Sequence, residues 1–247
     1  MSASKTDIEF VSNPRDAGMN PEGLARLKRA IEQDTEKGLY DGAGFIVARG
    51  GKIVMREAVG MSDRANGRTA SIDDIYFIMS ITKQITAVSV LMAIERGDFT
   101  LNTRVSDILP EFGIKGKQNV TVWHILTHSS GLNSEIPWGL PAEKLADIEA
   151  VTAAIGAERL LFTPGERVVY NCIASMSVLA VMVQRTDRGG RAFRRIFAED
   201  IFTPLGMADS TLGVPESARE RLVPVVVRDR TPGLFEPLIL ESMNFLA

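Results

Sequence analysis

The segments legible in the sequence are those of an α+β chain. An amphipathic helix and a β-hairpin come first, a long apolar helix follows, and helical patterns separated by turns then run to about residue 212. Each of these rests on a local signal.

The first helix is predicted from about Pro21 to Lys37. Asn20 suits the N-cap, Pro21 suits the first turn, and Leu24, Leu27, Ala30 and Ile31 make the apolar stripe. In the hairpin, Gly44 to Ala48 runs out, Arg49-Gly50-Gly51-Lys52 turns, and Ile53 to Val59 returns. A polar stretch from Ser62 to Asp74 leads to Ile75-Tyr76-Phe77-Ile78-Met79. The long helix starts near Ser80 and stops near Gly97. It is apolar almost all round, which predicts burial on every side. Further helical patterns cover Val105–Leu109, Val122–Leu126, Ala142–Gly156, Ala174–Arg185 and Arg191–Phe202, and Val223–Val227 is a β-like run. The stretch Leu238 to Ala247 is apolar, has no stop signal, and reads like a chain cut in mid-fold.

Composition narrows the function. Of 247 residues, 45% are hydrophobic and 24% charged, an ordinary globular balance. The net charge is −3 and no basic stripe is visible, which argues against nucleic acid as a partner. The single cysteine, Cys172, can form no internal disulfide. The first residues lack the basic start and apolar run of a secretory signal, and no stretch approaches a membrane span. With Met1 as the native start, a cytoplasmic protein with no membrane partner is expected. No phosphate loop, dinucleotide fingerprint or G-x-S-x-G is present, and no cofactor is expected. The two histidines, His124 and His128, are four apart, but Ile125 stands where a zinc motif has glutamate, so no metal is expected.

One motif carries chemistry. Ser80-Ile81-Thr82-Lys83 is an S-x-x-K sequence, and residues three apart share one face of a helix. Lys83 can therefore reach the Ser80 hydroxyl. Burial disfavours the charged form of a lysine, and a neutral amine beside a hydroxyl can activate it as a nucleophile. The amino end of a helix also favours a developing oxyanion. Four residues alone are weak, for Ser2-Ala3-Ser4-Lys5 matches too, in a tail. An N-cap serine and a surface lysine are the alternative reading. Context separates the two matches: Ser80 follows a hairpin and opens an apolar helix.

The surroundings of Ser80 go further. Asp74 to Ala87, then Glu95-Arg96-Gly97-Asp98-Phe99-Thr100-Leu101-Asn102 and Val105 to Phe112, resemble the nucleophile region of the β-lactamase-related serine hydrolases. This superfamily takes in class C β-lactamases, penicillin-binding proteins and family VIII-type esterases. Thr121-Val122-Trp123-His124-Ile125-Leu126-Thr127-His128-Ser129-Ser130-Gly131-Leu132, Pro164 to Tyr170, and Ile201 to Thr211 resemble further blocks of it, in the family's order. The resemblance covers roughly Met19 to Leu212.

It implies a β-lactamase/transpeptidase-like fold, an antiparallel sheet flanked by helices with an inserted, mostly helical lobe and the serine between the two. The expected parts are residues 1–79 as the start of the α/β lobe, 80–212 as the nucleophile helix and helical lobe, and 213–247 as the return. The resemblance makes Ser80, Lys83 and Tyr170 the catalytic residues, with Tyr170 taking the serine proton and passing it on. Where the family's tyrosine motif continues with one residue and then Asn or Ser, this chain has Tyr170-Asn171-Cys172. A thiol is a weak hydrogen-bonding group, which leans away from β-lactams and toward esters. Cys172, Asn171 and the Trp138 loop are the expected substrate contacts.

The family's third motif, a Lys-Thr-Gly or related triplet on a strand that lends a donor to the oxyanion hole, is absent beyond residue 212. The C-terminal strands are therefore expected to be missing from this chain. A second polypeptide or C-terminal segment is expected to complete the sheet, and without it the hairpin and the Ser80 helix are left unburied. The oligomeric state, a homo-oligomer included, stays open. The favoured function is hydrolysis of small carboxylic esters. The alternatives are an acyltransferase or amide or β-lactam hydrolase using the same serine, and a non-catalytic relative that binds a ligand or partner.

Overall fold

A computed structural model describes residues 9–133, 137, 139–171 and 174–226. These fall into two compact units. The first takes in the residues up to Phe77 and those from Glu216, the second Ile78–Pro215.

The first unit is built on a hairpin. Strand β2 (Gly42–Arg49) pairs antiparallel with β3 (Lys52–Asp63). The two-residue loop between them is Gly50-Gly51, with φ of 56° and 77°. Positive φ at both central residues is what a hairpin matched to strand twist requires. A short β1 (Glu9–Phe10) lies on β3 in parallel, and β4 (Arg68–Thr69) pairs antiparallel with its far end. The sheet is thus mixed rather than wholly antiparallel as expected, because β1 arrives from outside the hairpin.

Helix α1 (Pro21–Glu36) is capped as the sequence predicts: the Asn20 side chain accepts the Glu22 N–H at 3.0 Å. It packs on β3 through Leu24, in a small core with Val11 and Val54. Leu27 and Ala30, expected on the same stripe, are exposed. Among the described residues this core is small, Val11, Leu24 and Val54 with Ala17, Met19, Val47 and Met55 packed against it, and it does not reach the wider stripe. The β-like run near Val223 is also corrected. Val223 to Val226 form no strand, and Val227 lies outside the described residues. The Ile75–Leu222 bridge and the Arg68 guanidinium, which donates to the Leu222 carbonyl at 2.7 Å, tie this stretch to the unit.

The second unit is helical. Helix α2 (Thr82–Glu95) follows a 3₁₀ turn at Met79–Ile81. After it come α3 (Val105–Ile108), α4 (Val122–Leu126), α5 (Ile148–Ala157), α6 (Ala174–Thr186) and α7 (Phe193–Ile196), the last running into a π-helical turn at Phe197–Phe202. The helix buried on every side is α6, not α2. Val178 through Val183 are all buried, and α6 touches α2, α3, α4, α5 and α7. Helix α2 buries one face, Thr86, Ser89, Val90 and Ala93, and leaves Val88 and Leu91 46% and 52% exposed. Its buried hydroxyls are satisfied within the helix: Thr86 donates to the Thr82 carbonyl and Ser89 to that of Thr86. Phe193 and Phe197 pack with tilted rings, centroids 4.6 Å apart, and Phe197 meets Phe202 edge to face at 5.6 Å. No helix of the described residues is long and apolar enough to cross a membrane.

Candidate active site

The site lies within the second unit. Ser80 is in the 3₁₀ turn at the amino end of α2, exposed to solvent, and Met79 before it holds φ at 49°. Left-handed backbone is uncommon for a residue with a Cβ. One turn on, the Lys83 amine donates to the Ser80 hydroxyl at 3.2 Å. Tyr170, ninety positions away, donates its own hydroxyl to the same oxygen at 2.7 Å. The Lys83 nitrogen stands 5.1 Å from the centre of the Tyr170 ring. Three groups named from sequence thus meet at one oxygen. Lys83 is only partly buried and Tyr170 is half exposed, so the described residues do not by themselves supply the enclosure that the sequence argument invoked for the lysine.

Tyr170 is delivered by the segment Leu161 to Asn171, which lies along His128 to Asn133. Leu161 N–H donates to the Gly131 carbonyl at 2.8 Å, Gly165 N–H to that of Ser129 at 2.8 Å, and Val169 N–H to that of His128 at 2.9 Å. Asn171 N–H donates to His128 Nδ1 at 3.1 Å. The approach is close enough to require glycine at 131. Its φ is 77°, and a Cβ there stands 2.2 Å from the Phe162 carbonyl oxygen.

His128 is a group that sequence reasoning weighed only as a metal ligand. Its backbone sits at φ 56°, its ring is 4.8 Å from that of Tyr170, and burial, with the Lys83 cation second, holds its pKa below the ordinary 6.5. The only sequence signal was its place inside the Thr121–Leu132 block. His124 has a different task. Its Nδ1 accepts the Thr121 N–H at 3.2 Å while the Thr121 hydroxyl accepts the His124 N–H at 3.3 Å, which closes the first turn of α4.

Asn171 requires a correction. It is 2% exposed, and its side chain is spent on the protein. The amide donates to the Asn133 carbonyl at 2.6 Å and to that of Leu132 at 3.4 Å, and its oxygen accepts the Ser175 N–H at 3.0 Å. It therefore ties the Tyr170 segment to α6 and to the Leu132 loop and offers nothing to a substrate. Cys172 and Trp138 lie outside the described residues.

The sequence pattern of the Beta-lactamase family matches residues 27–245. Esterase EstB of Burkholderia gladioli is 31% identical over 201 residues, which cover 75% of this chain and 50% of that protein. A penicillin-binding protein homologue from Caulobacter crescentus superposes with a TM-score of 0.76 at 28% identity, over 87% of this chain and 57% of its own. A family VIII carboxylesterase does so at 0.74 and 26% identity, over 84% and 56%. The chain thus spans about half the length of these relatives. With most of its residues matched by one family pattern and two solved structures sharing its fold, the chain belongs to the Beta-lactamase family.

Proposed function

We propose that the chain carries the nucleophile and proton-handling groups of a serine hydrolase acting on small carboxylic esters, with Ser80 as nucleophile and Lys83 and Tyr170 as its partners. The observation that carries this reading is the convergence of the Lys83 amine and the Tyr170 hydroxyl on Ser80 Oγ. A hydrogen bond of 2.7 Å can serve with the proton on either oxygen. Before acylation the Tyr170 hydroxyl gives up its own proton to solvent, leaving a phenolate whose charge the Lys83 cation offsets. Oγ then bonds to the ester carbonyl carbon as the serine proton passes to the Tyr170 oxygen. The carbon–oxygen bond to the alcohol then breaks as Tyr170 returns the proton to it. Water attacks the acyl-enzyme by the same relay and releases the acid. The likeness to EstB and to the family VIII carboxylesterase supports an ester over an amide.

The test is hydrolysis of a short p-nitrophenyl ester by this chain beside its Ser80→Ala variant, with intact mass recorded on both. Turnover that vanishes in the variant, with an acyl adduct on the wild type alone, supports the reading. Equal turnover in both overturns it.

A further inference from the structure

We propose that His128 is a positioning residue for this site, and that its neutral imidazole is what sets the Tyr170 hydroxyl against Ser80. The inference rests on the hydrolase reading and adds a pH-sensitive support to it.

The geometry is a clamp. His128 holds the chain on both sides of Tyr170: its carbonyl accepts the Val169 N–H at 2.9 Å and its Nδ1 accepts the Asn171 N–H at 3.1 Å. Its ring also packs against that of Tyr170 at 4.8 Å. A tyrosine fixed before, after and on its face has little freedom to leave a 2.7 Å bond. The left-handed backbone at His128 makes this possible, because carbonyl and ring then face the same strand of chain.

The clamp needs a lone pair on Nδ1, so the imidazole carries its single proton on Nε2. Protonating Nδ1 removes the acceptor and sets N–H against N–H at Asn171. Among the described residues, the charged and titratable groups that face the ring are Lys83 from α2 and Tyr170 from the delivering segment. The lysine cation and partial burial both oppose the imidazolium. The neutral form therefore dominates at pH 7, and the clamp opens only as the medium becomes acid.

Three proteins test this: wild type, His128→Ala and His128→Asn. Asparagine places Oδ1 where Nδ1 stands, tolerates left-handed backbone, and does not titrate. The readouts are kcat and KM for p-nitrophenyl acetate from pH 4.5 to 8.5, with melting curves to show that each variant is folded. Misplacing a catalytic group by about 1 Å can cost about 100-fold in rate. His128→Ala is therefore expected to lose about 10- to 100-fold in kcat with KM within about threefold. His128→Asn is expected to recover most of that loss and to lack the wild-type inflection below pH 6.5. A folded His128→Ala with wild-type kcat overturns the proposal, as does an acid inflection that survives in His128→Asn. Failure of the hydrolase reading has a separate signature, a wild type that neither turns over ester nor is labelled at Ser80 by a fluorophosphonate. In that event ¹⁵N NMR of the imidazole still decides the clamp. An Nε2–H tautomer supports it and an Nδ1–H tautomer overturns it.

Discussion

Replacing Asn171 by alanine removes three hydrogen bonds at one buried point. Two of them are short, those to the Asn133 carbonyl and from the Ser175 N–H, and Ser175 is itself buried. A buried polar group left without its partner costs about 1–3 kcal/mol. With the weaker Leu132 contact set aside, Asn171→Ala is expected to lose about 2–4 kcal/mol, a fall in Tm of about 5–15 °C for a chain of this size. Asn171→Asp sharpens the argument. It keeps an acceptor for Ser175 but turns a second oxygen, instead of a donor, toward the Leu132 and Asn133 carbonyls. At pH 7 it should be less stable than the alanine variant, because a buried carboxylate faces two carbonyl oxygens. As pH falls, a protonated carboxyl regains an O–H donor and the deficit narrows. Urea unfolding at pH 7 and pH 4.5 measures both. An alanine variant within about 0.5 kcal/mol of wild type, or an aspartate variant as stable as wild type at pH 7, refutes the assignment of Asn171 as a structural tie.

Other perturbations follow from the same geometry. Gly131→Ala drives a Cβ onto the Phe162 carbonyl oxygen at a positive φ, and the clash is with backbone, so a loss of more than about 2 kcal/mol or an insoluble product is expected in expression and melting tests. Asp187 is held down to about 2 by its hydrogen bonds to Arg191, which also pairs with Asp200 and Glu199. The unfolded chain takes up a proton near 3.8 and the folded chain only near 2, so this stabilisation is present above 3.8 and is lost as pH falls through that window. Asp187→Asn should cost about 2 kcal/mol at pH 7 and little at pH 2, read from melts at the two pH values. His128 follows the same proton bookkeeping at milder pH. The unfolded chain protonates near 6.5 and the folded chain lower, so stability falls as pH drops from about 6.5 toward the lowered value, and His128→Asn should flatten that slope. On α2, Val88→Gln and Leu91→Gln should stay within about 0.5 kcal/mol of wild type in urea, while Val90→Ala, fully buried, should cost about 2 kcal/mol.

What the sequence alone determined is local. Asn20 before Pro21, the Gly50-Gly51 turn and the placing of Ser80 and Lys83 on one face each depend on hydrogen bonds and dihedrals within four residues, so spacing suffices to read them. The order of the elements was legible for the same reason. Tertiary structure decided the rest, because it concerns groups far apart in the chain. Periodicity could not say whether α2 or α6 is enclosed, for both are apolar nearly all round, and only the ring of neighbours about α6 distinguishes them. Nothing local brings the Tyr170 hydroxyl to Ser80; that takes the bonds between Leu161–Asn171 and His128–Asn133. Asn171 looked available because asparagine is polar, yet folding surrounds it with backbone groups that need its amide. His128 looked like one more residue of a block until its carbonyl and Nδ1 were seen to hold the chain on either side of the tyrosine. A hydrogen-bonding group declares its type in sequence, but its partner is chosen by the fold.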